Sequence, residues 1–117
     1  MTAGSKEYAK GMRAYRARDY KTAYRILKTL AEEGHPQAQV AIGSIYQLGL
    51  GGTAIDEDEA MRWYALASAK GNGLASSNFG SIAESRGDRE TAMRWYSKAR
   101  QQGFRYSPEF SPPAQKK

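Results

Sequence analysis

One short word occurs twice in this chain: Met61-Arg62-Trp63-Tyr64 returns as Met93-Arg94-Trp95-Tyr96. Each is preceded by an alanine (Ala60, Ala92) and followed, seven residues past its tyrosine, by a glycine (Gly71, Gly103). A four-residue identity containing tryptophan points to an internal repeat, and a repeat decides the architecture before any other pattern does. Ala23 and Gly34 keep the same separation, with Ile26-Leu27 standing where Trp-Tyr stands in the other copies. Three copies follow, each with an upstream glycine: Gly11, Gly43 and Gly80. The middle copy is longer, because 17 residues separate Gly43 from Ala60 where 12 separate the corresponding pairs. Its extra length is the Gly-rich stretch 48–55, which reads as a loop.

Every copy reads as two helices. Pro36 suits a first helical turn, and Ala38, Ala41, Ile42, Ile45 and Tyr46 then share one face before Gly49. Asp56-Glu57-Asp58-Glu59 places negative charge in the first turn of the next helix, whose apolar face is Ala60, Trp63, Tyr64 and Ala67. In the third copy Asp88 reads as an N-cap. The spacing predicts helices near 5–17, 20–33, 36–48, 56–70, 73–86 and 88–102. Small residues recur where two helices must approach closely and large aromatic ones recur one turn later, so hairpins stack and share a core, and three such units are about the minimum for a stable stack. The fold class is all-α, an α/α superhelix (solenoid) of three helix-turn-helix repeats and about six helices. A single domain over 1–103 is expected, followed at 104–117 by an aromatic cap (Phe104, Tyr106, Phe110) and a Pro/Lys tail, the cap's alternative being a docking patch for a partner or a second copy.

The residues Ala38, Gly43, Tyr46, Gly49, Gly51, Asp58, Ala60, Trp63-Tyr64, Ala67 and Gly71 resemble the pattern of the Sel-one-like repeat family, relatives of the tetratricopeptide repeats. The phrases GLGG, DEDEAMRWYALASAKG and AMRWYSKARQQG carry that likeness. The outer copies lack the glycine loop and are nearer tetratricopeptide length. The resemblance implies a right-handed superhelix whose first helices line a concave groove, and an adaptor or scaffold role. Carried over position by position, it points to Tyr8, Met12, Tyr15 and Arg16, then Val40, Ser44 and Gln47, then Ser77, Ser81 and Glu84 as partner-binding residues. Bacterial members of the family are often exported, so the expected compartment is periplasmic if a leader has been removed and cytoplasmic otherwise.

Composition limits the chemistry. The 117 residues contain no cysteine and a single histidine, His35, which removes thiol catalysis, disulfides and multi-histidine metal sites. His35 would be the sole base for a serine nucleophile, and it stands before Pro36 at a repeat boundary, where a turn or surface role is the default. The loop Gly49-Leu50-Gly51-Gly52 lacks the preceding strand and the Lys-Ser/Thr of a phosphate cradle. The acidic run 56–59 lacks the alternating ligands of a calcium loop. No catalytic residue, cofactor or metal is expected; a cell-wall-related hydrolase is the enzyme alternative.

The net charge of +6 is uneven, with residues 1–34 and 72–117 each carrying eight basic and four acidic side chains and the middle slightly acidic. Basic ends and paired aromatics raise nucleic-acid binding as an alternative. Periodicity puts the aromatics at buried positions and makes Arg13, Arg16, Arg18, Lys21, Arg25 and Lys28 a solvated face. The expected partner is a protein or peptide, an acidic one being an option, with no membrane insertion and with self-association through the aromatic tail as a further option.

Overall fold

A computed structural model describes residues 3–105. Among the described residues six α-helices follow one another: α1 (Ala3–Arg16), α2 (Tyr20–Glu32), α3 (Pro36–Leu48), α4 (Glu57–Ala69), α5 (Gly73–Ser85) and α6 (Arg89–Gln101), with a short 3-10 helix at Leu50–Gly52. No strand occurs among the described residues. Each helix packs mainly on its neighbours in sequence, giving three hairpins stacked into a slab of 47 × 32 × 22 Å. The helix bounds match the expected ones to within two residues.

Helix starts and stops are written in single residues. Asp19, His35, Asp56, Asn72 and Asp88 each accept the backbone N–H three residues ahead, satisfying a donor that the helix itself cannot. At the other ends the chain reverses through a left-handed residue, and, except after α3, the following N–H bonds the carbonyl five residues back, as in His35 N to Leu30 O at 3.0 Å and Asn72 N to Ala67 O at 3.1 Å. Gly34, Gly71, Gly87 and Gly103 take this position without strain, whereas the first hairpin places Arg18 there at φ 65°.

Within each hairpin a glycine in the first helix receives a large side chain from the second. A Cβ placed on Gly11 would lie 2.6 Å from Leu27 Cδ2, one on Gly43 2.6 Å from the Tyr64 ring, and one on Gly80 2.8 Å from the Tyr96 ring. The repeated glycines are therefore notches, and Leu27, Tyr64 and Tyr96 are buried in them. The first junction holds the larger core, with Leu27, Leu30, Ile42, Ile45 and Trp63 in one cluster. The extra loop leans back on the first hairpin: Leu50 packs on that cluster, and Gly51 sits against Tyr20.

One expectation needs correction. Trp63 is 4% exposed, but Trp95 is only half-buried, stacked on Phe79 with ring centroids 3.8 Å apart and with the Lys98 ammonium 4.8 Å from its centroid. Trp63 belongs to the largest buried cluster, whereas Trp95 is part of none of the buried clusters among the described residues. Of the aromatic segment, Phe104 sits with its Cβ 2.6 Å from where Gly73 would carry one, and its N–H bonds Ala99 O at 2.9 Å. Tyr106 and Phe110 lie outside the described residues.

Candidate functional site

The first helices of the three hairpins share one side of the slab. Where α1, α3 and the start of α5 meet there is a hollow of ≈ 250 Å³, lined by Tyr8, Met12, Tyr15, Val40, Ala41, Ser44, Gln37, Asn72 and Leu74. Tyr8, Met12 and Tyr15 recur at helical spacing along α1, and Val40 and Ser44 do so along α3, so each helix turns one stripe toward the hollow. Five of the ten sequence-derived positions, Tyr8, Met12, Tyr15, Val40 and Ser44, are brought together here.

The other five have different surroundings. Gln47 accepts the Tyr64 hydroxyl at 2.6 Å, and Glu84 accepts the Tyr96 hydroxyl at 2.7 Å. These two acceptors hold the tips of the very rings that fill the glycine notches. Ser77 is buried, Ser81 is exposed, and Arg16 is exposed one turn beyond Met12 on α1. Leu74, Asn72, Gln37 and Ala41 were not among the sequence-derived positions. The signal for Leu74 was present: it is a large apolar residue in the register of Gln37, a position that the core does not need, and it remains 43% exposed.

Two polar groups at the hollow, on Asn72 and Ser44, also help to hold the fold. Asn72 Oδ1 caps α5 at 2.9 Å from Ala75 N, leaving its amide N–H2 as a donor. The Ser44 hydroxyl lies 3.2 Å from the Tyr64 hydroxyl. Burial pushes the Tyr15 phenol above its ordinary value and the Tyr64 phenol up to about 12, so both stay neutral hydrogen-bonding groups near neutral pH.

Residues considered for chemistry have structural occupations. His35 caps α3 through Nδ1, 3.2 Å from Ala38 N, and its ring stacks on Tyr8 at 4.7 Å between centroids. In the acidic run, Asp56 caps α4, Glu57 and Asp58 are bridged by Arg86 at 3.2 and 3.0 Å, and Glu59 pairs with Arg62 and accepts the Trp63 indole N–H. No group of three or more metal-ligating side chains occurs among the described residues. No helix among them is long and apolar enough to cross a membrane. Of the basic side chains expected on a solvated face, Arg13, Arg16, Arg18, Lys21 and Arg25 are exposed, and Lys28 is half-buried against Tyr24.

Comparison with protein families gives three consecutive matches to the Sel1 repeat, at residues 4–35, 36–72 and 74–104. Comparison with curated proteins returns no match.

Proposed function

Since the chain belongs to the Sel1 repeat family, we propose that it is a non-catalytic binding module that holds a segment of another protein on its concave face. Sel1 repeats are in general protein-interaction modules rather than enzymes. The observation that carries the reading is the hollow between α1, α3 and α5, where apolar side chains remain accessible although the stacked hairpins have their own core. An adaptor role follows from the same geometry: a groove on a rigid stack positions a partner without altering it. The solenoid is taken to span 1–103, with Phe104 the first residue of a cap over the last hairpin.

The experiment compares capture of partner proteins by the natural chain and by Leu74→Asp. Leu74 is a surface position, so its replacement should change stability by less than about 0.5 kcal/mol. Loss of the captured protein with an unchanged unfolding curve supports the groove. Retention of the full set of captured proteins contradicts it.

A further inference from the structure

The groove is chemically uneven along its length, and that unevenness specifies its ligand. Its apolar part is confined to the α1/α3 side, where Tyr8, Met12, Val40 and Ala41 face Leu74 across a hollow of ≈ 250 Å³. That is smaller than the pockets of about 300 to 1,000 Å³ that take drug-sized ligands, and it suits one large apolar side chain. Charge on the groove-lining helices is just as localised. α3 carries none, and on α5 the sole charged side chain is Glu84, whose carboxylate accepts the Tyr96 hydroxyl. Among the described residues, no acidic side chain lines the hollow.

Arg16 is the cation nearest in register to this stripe. It stands four residues after Met12, so the helix sets it on the same side, about 6 Å further along the axis. Its side chain is exposed, and it forms no ion pair among the described residues. A peptide strand advances about 3.3 Å per residue, so two residues cover the distance from the hollow to Arg16.

Resting on the groove reading above, we infer that the hollow selects an extended peptide segment in which a large apolar or aromatic side chain is followed or preceded, two residues away, by a carboxylate. The apolar side chain fills the space between Met12, Val40 and Leu74, while the carboxylate pairs with Arg16. The Asn72 and Gln37 amides stand at the hollow to donate to the segment's carbonyls.

The test uses four nine-residue probes of Gly and Ser, titrated into the full chain at low salt and followed by methyl NMR signals. The first carries a central Phe with Asp two residues before and after; the second replaces both Asp with Lys; the third omits the charges; the fourth keeps Asp but replaces Phe with Ala. The first should bind about two- to fivefold more tightly than the third, the range of an exposed ion pair, and the second more weakly. The margin should shrink with added salt, the fourth probe should not bind, and Met12, Val40 and Leu74 signals should move. With Arg16→Glu the ranking of the Asp and Lys probes should reverse. A ranking indifferent to residue 16, while Leu74→Asp still abolishes binding, would overturn the carboxylate rule and leave the groove standing. Absence of binding by every probe, or binding untouched by Leu74→Asp, would overturn both.

Discussion

The two copies of Met-Arg-Trp-Tyr end in different surroundings. Trp63 is enclosed by the larger core of the first junction and donates its indole N–H to Glu59, whereas Trp95 is half-buried and lies between Phe79 and the Lys98 ammonium. The tyrosine beside each has the same fate in both copies: it is buried in a glycine notch, with its hydroxyl tied to Gln47 or Glu84. The glycine notch and the hydroxyl acceptor of each tyrosine belong to its own hairpin, whereas the cluster around Trp63 includes Leu27, Leu30 and Ala31 of the hairpin before. Identical words therefore specify contacts inside a repeat reliably. Contacts between repeats also depend on what the preceding copy offers.

Stability measurements sharpen this contrast. Trp63→Ala should cost about 3 to 5 kcal/mol, and Trp95→Ala about 1 to 2 kcal/mol, the scale of a partly covered aromatic and its stacking; equal losses on denaturant unfolding would break the comparison. Gly43→Ala and Gly80→Ala should each destabilise by about 1 to 3 kcal/mol, because the added methyl meets a buried ring. Gly11→Ala should cost a similar amount, since Leu27 is fully enclosed in the core and its Cγ as well as Cδ2 lies within 3 Å of the added methyl. Tyr64→Phe should cost about 1 kcal/mol for the lost hydrogen bond to Gln47.

At the small end, Arg18→Gly should stabilise the first hairpin by about 1 kcal/mol, because it frees a left-handed residue from Cβ strain. It would give that turn the residue that Gly87 gives the third, and unfolding of the single variant measures the gain. Alkaline pH provides another comparison. The Tyr24 hydroxyl beside Tyr46 and the burial of Tyr64 hold these two phenols at about 12, above the ordinary 10.0. A raised folded value means that their stabilisation is complete below pH 10 and declines as pH rises through about 12. Tyr64→Phe should flatten that decline in a stability-against-pH series.

Much of the fold was legible because it is repeated: Gly11, Gly43 and Gly80 and the residues facing them recur with the same spacing, so each copy corroborates the others. Helix ends were legible wherever glycine marks the turn. Arg18 hid the same turn behind a residue that seldom adopts it, and the capping roles of His35 and Asn72 needed three-dimensional placement to be seen. The groove was half legible. Tyr8, Met12, Tyr15, Val40 and Ser44 follow the periodicity of their own helices, but Leu74 and Asn72 come from the start of α5, whose meeting with α1 is a tertiary fact. Gln47 and Glu84 share that face in register yet serve as acceptors for the notch tyrosines, which no pattern along one helix reveals.

Amide hydrogen exchange on the chain alone and in complex with the protein it captures tests the central claim most directly. The groove account predicts added protection at residues 8–16, 37–44 and 72–74. Protection confined to α2, α4 and α6, with those three stretches unchanged, would contradict it.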